Sequence, residues 1–216
     1  MMSWKEKLDE LPSEQRFLIE GGSLSQRFSK MPLSSTHPAL LGGFYGILIS
    51  LALLLPLGAG FDWKGGWLRD WAWIAIWIML LNAIIGHVSL IVAGILRRPP
   101  ISLPRKLVYP MPFIGLILFT VILITDVENN IPDSIEKPIY YTSLMLLLVP
   151  GPIYVHLSWA PRWRLLCRLE DNLDPFDGTV IIANEGGEDK ADPDPDFTSA
   201  IESIEDEPPV LYEGEE

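Results

Sequence analysis

Cysteine is almost absent from this chain: Cys167 stands alone in 216 residues. No disulfide can form within the chain, which suits a reducing compartment. The signatures of common enzyme chemistries are missing as well. The sequence holds no G-x-S-x-G, no H-E-x-x-H, no C-x-x-C and no P-loop, so those chemistries have no residues to carry them. Histidine is scarce, at three residues. The long apolar runs contain no Lys, Arg, Asp or Glu, so no carboxylate relay for protons crosses them. Asp192, Asp194 and Asp196 imitate the opening of a calcium loop, but Phe197 replaces the required glycine and Ser203 the closing glutamate. Basic residues interleaved with aromatics, which would suit nucleic acid, are also lacking. No catalytic residue, no metal site and no enzymatic activity are expected.

What is present is a segregation of residue types. Four apolar runs, at about 39–60, 71–96, 107–125 and 139–158, each supply roughly the 20 residues needed to cross ~30 Å of hydrocarbon as a helix. They are continuous and not alternating, which predicts helices over barrel strands. The expected fold is an all-α integral membrane protein, a four-helix transmembrane bundle. Residues 1–38 form an amphipathic interfacial segment before it. Residues 159–216 follow it as a basic juxtamembrane stretch and a disordered acidic tail. The first thirty residues mix charges and hold no apolar run, so no cleavable signal is expected.

Orientation follows from Lys and Arg near the spans. The N-terminal segment, the second loop and the stretch after the fourth run carry twelve, against three in the first and third loops. Both termini are therefore expected in the cytoplasm, with the plasma membrane as the location. Arg97, Arg98, Arg105 and Lys106 in the second loop suit lipid headgroups. Trp63, Trp67, Trp71 and Trp73 crowd one boundary; Tyr109, Trp159 and Trp163 mark the other. Trp63, Trp67 and Trp71 have the spacing of one helical face. Cys167, directly after the last run, is either a lipidation site or an unmodified interfacial thiol.

Before the first run, Ser3 and Glu6 have capping-box spacing. Pro12 and then Gly21–Gly22 interrupt the helical pattern. Trp4, Leu8 and Leu11 share a face, and Leu24, Phe28 and Met31 alternate with Arg27 and Lys30, which suits the membrane surface.

Polar and small residues within the runs are the candidates for packing or for a path. Gly42, Gly46 and Ser50 lie four apart in the first run. Asn82, Gly86, Ser89 and Ala93 fall on one face of the second. Both patterns suit close helix contact, within the chain or in a homo-oligomer; a polar path through Asn82 is the other reading. His87 and His156 both fall toward the cytoplasmic ends of their runs. In an up-down bundle the second and fourth helices are diagonal, so the two imidazoles could face each other and ligate a haem. Pro150-Gly151-Pro152 breaks the fourth run, as a kink or as a source of free carbonyls for a transported ion. Pro56 lies near the outer end of the first run, so only the fourth is expected to be broken deeply.

The net charge of −12 is concentrated at one end. Residues 170–216 hold 17 Asp or Glu and one Lys, a net of −16, while the first 169 residues carry +4. Within this tail Phe197, Ala200, Ile201 and Ile204 recur at helical spacing, a segment that could fold on a partner protein. Thr179–Ile182 could pair as a short strand. These features point to a non-enzymatic adaptor or accessory subunit that recruits membrane or cytoplasmic proteins through its tail. The tail could instead fold back on the basic residues of the second loop, or serve only as a solubilising segment. The alternatives are a small oligomeric transporter or channel using Asn82, His87, His156 and the Pro150–Pro152 break, or a bis-histidine haem protein.

Overall fold

A computed structural model of the chain describes residues 4–125 and 132–177. The chain divides into units of residues 1–181 and 182–216, and all described residues belong to the first. They are helical, with no strand among them. Ser3, the Thr179–Ile182 run, the acidic tail and its Phe197–Ile204 segment lie outside them.

Three short helices open the chain: α1 (Trp4–Glu10), α2 (Ser13–Glu20) and α3 (Ser23–Ser29). They are separated at Pro12 and at Gly21–Gly22. Gly21 closes α2 with φ +61, a left-handed conformation that glycine adopts without strain. The first apolar run forms α4 (Pro38–Ala52) and α5 (Leu54–Gly60), bent by 43°. The second is one 30-residue helix, α6 (Trp67–Leu96). The third comprises α7 (Arg105–Val108) and α8 (Pro110–Ile124). The fourth forms α9 (Asp133–Leu148), α10 (Pro150–Tyr154) and a π-helical turn (Val155–Trp159), and α11 (Ala160–Glu170) follows it. Two helices are long and apolar enough to cross a membrane, and two bent pairs raise the number to as many as four. A helical membrane bundle follows, and the four runs are called spans 1 to 4 below.

The bend in span 1 was not anticipated. Pro56 has no N–H for the carbonyl of Ala52, and its ring crowds that carbonyl; α4 stops at Ala52. Span 4 obeys the same geometry: Pro152 removes the donor for Leu148, where α9 stops, and the bend is 42°. Spans 1 and 2 pair along α4 and α6, and spans 3 and 4 along α8 and α9. Ile49, Leu53, Leu57, Phe119 and Leu147 form the core between the pairs.

The flanking segments also differ from expectation. Residues before span 1 and after span 4 pack on each other, at what we term the near end of the bundle. Leu8, Ile19 and Leu33 join Trp159, Leu165, Leu166, Leu169 and Phe176 in a second core. Leu8 thus faces protein and not lipid headgroups. Trp159, expected in an interfacial belt, is fully buried, and its indole N–H donates to the carbonyl of Thr36 at 2.7 Å. Trp163 donates likewise to Leu33 at 2.9 Å. Lys7 reaches the carbonyl of Leu169 at 3.4 Å and the side chain of Asn172. At the far end Trp63 has φ +55 and sits in a turn before α6. It therefore does not continue the Trp67–Trp71 face, and its ring meets Trp67 edge-on at 5.0 Å.

Candidate functional site

Breaks in spans 1 and 4 leave carbonyls in the last turns of α4 and α9 without partners in their own helices. Side chains from other spans take one in each helix. The Trp71 indole N–H donates to the carbonyl of Ser50 at 2.8 Å, and the Tyr45 hydroxyl donates to that of Leu147 at 2.7 Å. The Tyr45 ring lies where a side chain on Gly151 would stand, so Gly151 is needed for that approach. A third proline acts similarly. Pro161 removes the donor for Leu157, whose carbonyl accepts instead from the backbone N–H of Ile101 at 3.0 Å. These breaks are therefore seated by packing, and these three carbonyls are taken by donors of the chain itself.

The small-residue faces of spans 1 and 2 meet each other. A Cβ on Gly42 would strike the carbonyl of Asn82, and one on Gly86 that of Pro38. On Gly46 it would come within 2.7 Å of the Met79 Cα. Asn82, Gly86, Ser89 and Ala93 are the buried residues of α6. This contact is made inside one chain, so the glycine faces are occupied before any oligomer forms. Gly115 does the same for spans 3 and 4, against the backbone of Leu147 at 2.6 Å; as one small residue in an apolar run it had no spacing to mark it.

Polar groups gather at the near end, where span 2 crosses the π-helical turn of span 4. Ser89 donates to the carbonyl of Ile85 at 2.6 Å, which uses its only proton. It therefore accepts from His156 Nδ1, 3.1 Å away. That fixes the tautomer: the His156 Nε2 lone pair accepts from Arg98, whose Nη2 lies 3.3 Å away. Arg164 donates to the Ala93 carbonyl at 3.2 Å. Asn82 donates to Ile78 at 2.8 Å, and its side-chain oxygen is buried with no hydrogen-bond partner.

Arg162 lies beside this junction with 1% of its surface exposed. Its Nε donates to the Leu18 carbonyl at 3.2 Å, Nη1 to the Ser158 carbonyl at 3.0 Å and to the Ser158 hydroxyl, and Nη2 to the Ser102 hydroxyl at 3.4 Å. Burial pulls the guanidinium down to about 10, so it remains charged at neutral pH. In the sequence Arg162 enters only the tally of basic residues that orients the chain; no local pattern marks it as buried.

The two histidines proposed as a haem pair are not brought together. His87 is exposed on α6 and stacks on His37 at 6.0 Å, whereas both nitrogens of His156 are hydrogen-bonded. Ser89, two residues from His87 and so about 200° around the helix, is the residue that meets His156. Among the described residues no group of three or more His, Cys, Asp or Glu could hold a metal ion. Cys167 is half-buried, and burial, then Glu170 and Asp171, push its thiol up to about 12.

Comparison with protein-family models, with curated proteins and with solved structures finds no match.

His37 gives the near end a pH dependence. Its Nδ1 accepts the N–H of Ala39 at 3.2 Å and so caps α4. Burial, then His87, lowers its pKa from 6.5. The folded protein thus favours the neutral ring. Its contribution is intact above the unfolded value and is lost as pH falls through the folded one. Thermal unfolding followed by tryptophan fluorescence should give a midpoint that drops between pH 7 and pH 5. Asn in place of His37 keeps a cap acceptor and should flatten that slope; an unchanged slope would assign it to other groups.

Proposed function

We propose that the chain is a membrane-embedded adaptor or accessory subunit, without catalysis of its own, that recruits a basic cytoplasmic partner through its acidic C-terminal segment. The carrying observation is the charge segregation: a net of −16 in residues 170–216 follows a body of +4. Opposite charge on a partner raises encounter rates and selects against wrong ones. The Phe197, Ala200, Ile201 and Ile204 positions would supply the apolar contacts. A cytoplasmic location for both termini is drawn from the twelve-to-three distribution of Lys and Arg, and the plasma membrane is the proposed site.

The root of the segment supports this reading. Arg168 holds the Asp174 carbonyl at 2.8 Å and the Asp177 carboxylate at 3.2 Å, and Phe176 is buried in the near-end core. Residues 171–177 thus belong to the folded body. The carbonyls of Ser50 and Leu147, beside the two breaks, are already taken by Trp71 and Tyr45, which leaves fewer of them for a transported ion.

The test is a quantitative pull-down from native membranes, comparing the full chain with one ended after Asp177. Ending it earlier, at Leu169, would strip Phe176 from the core. Specific cytoplasmic proteins should be lost with the segment. Identical protein sets from the two chains would overturn the adaptor reading.

A further inference from the structure

The peptide that leaves span 2 is held in an unusual way. Arg97 turns into the left-handed region at φ +47 while its N–H still closes on the Ala93 carbonyl at 3.1 Å. Four residues later the Ile101 N–H is fastened to Leu157 at 3.0 Å. Pro99 and Pro100 stiffen the interval. Arg97 and Arg98 are therefore displayed on a short bridge pinned at both ends. Arg98 is further tied to His156, which is itself oriented by Ser89.

Both arginines are exposed, and among the described residues neither pairs with a carboxylate. More positive charge lies close by: Arg164 bonds the same Ala93 carbonyl that receives the Arg97 N–H. Like charges held together repel unless an anion sits among them. The neighbouring surface decides which anion. Ile91, Ile95 and Leu96 precede the bridge and Ile101 ends it, all exposed and apolar. An anion that carries hydrocarbon would bond the guanidiniums and cover these exposed side chains together.

We propose that Arg97 and Arg98 form a discrete binding site for the phosphate of an anionic phospholipid, with His156 as the residue that positions Arg98. Guanidinium forks match phosphate oxygens in geometry as well as charge. The acyl chains lie along Ile95 and Leu96. This differs from the diffuse attraction of basic loops to headgroups, because it calls for one lipid in one place. The proposal needs spans 2 and 4 in a bilayer and does not depend on the acidic segment.

Native mass spectrometry of the full chain in detergent tests it, with dioctanoyl phosphatidylglycerol, dioctanoyl phosphatidylcholine and inorganic phosphate as probes. One phosphatidylglycerol per chain should be retained about tenfold more tightly than phosphatidylcholine, and the Arg97→Gln/Arg98→Gln chain should lose that preference. His156→Leu should weaken retention several-fold. His156→Gln, whose amide oxygen can still accept from Arg98, should restore it. Equal retention of the two lipids, or a preference that survives the double substitution, overturns the site. Displacement by inorganic phosphate at matched concentration overturns the lipid as its source. Equal loss in the Leu and Gln variants overturns the positioning role of His156.

Discussion

Gly86→Leu should dismantle the contact between spans 1 and 2. A Cβ at that position would fall on the carbonyl of Pro38 and come within 2.9 Å of the Ala39 Cα. Both are backbone atoms of α4 and cannot rotate aside. The helices must separate, and α4 against α6 is the most extensive helix pairing in the bundle. Overpacking of a tight core costs about 1–3 kcal/mol, and here the displaced element is a whole helix. The midpoint of thermal unfolding in detergent should fall by about ten degrees or more, since ~1 kcal/mol moves a chain of this size by roughly 2–4 °C. Gly94→Leu is the control. Gly94 lies two turns further along the same helix with nothing within 4 Å of an added Cβ. It makes the same change in propensity without the collision, so it should leave the midpoint unchanged or raise it. Equal behaviour of the two variants would mean that these helices do not meet at Gly86.

Arg162→Ala should release the N-terminal helices. The guanidinium caps the last turn of α2 through Leu18, fastens it to Ser158, and reaches Ser102 in the loop between spans 2 and 3. A cation at a helix C-terminus is favourable as well as well bonded. Each hydrogen bond to a charged group contributes about 1.5–3 kcal/mol, so the loss should be roughly 3 kcal/mol or more, enough to undock α1–α3 from α11. Limited trypsinolysis reads this directly, because Arg16 and Arg27 lie on the helices that would come free. Cleavage there should rise at least tenfold in the variant. Arg162→Lys should fall between, since one ammonium cannot span three elements. If cleavage at Arg16 and Arg27 is unchanged in Arg162→Ala, the arginine is not what holds these helices.

The spans were legible in the sequence because continuous hydrophobicity needs no knowledge of partners. The interruptions at Pro12 and Gly21–Gly22 were legible for a similar reason: they act on local backbone. The bend of span 1 was missed because Pro56 takes effect four residues earlier, at Ala52, deeper in the span than the proline itself. What the N-terminal helices face was not legible at all. Leu8 and Phe28 would suit a lipid interface as well as Trp159, and no local pattern separates the two. That Ser89 bonds His156 while His87 stacks on His37 turns on helix rotation. Bundle order alone does not say which of His87 and Ser89 turns toward span 4. Tyr45 and Arg162 lacked any motif, and the spacing of Trp71 pointed to an aromatic belt, because each does its work by meeting a carbonyl far away in the chain.

The near-end core joins the first residues of the chain to the last span. Thr36 waits for Trp159, which follows it by 123 residues, and Leu18 waits for Arg162, which follows by 144. At about 5–20 residues per second, synthesis alone separates Thr36 from Trp159 by roughly 6–25 s. During that interval α1–α3 have only each other, and helices of seven or eight residues are marginal without tertiary support. The docking of α1–α3 is therefore late, since it waits until Trp159 and Arg162 have been synthesised.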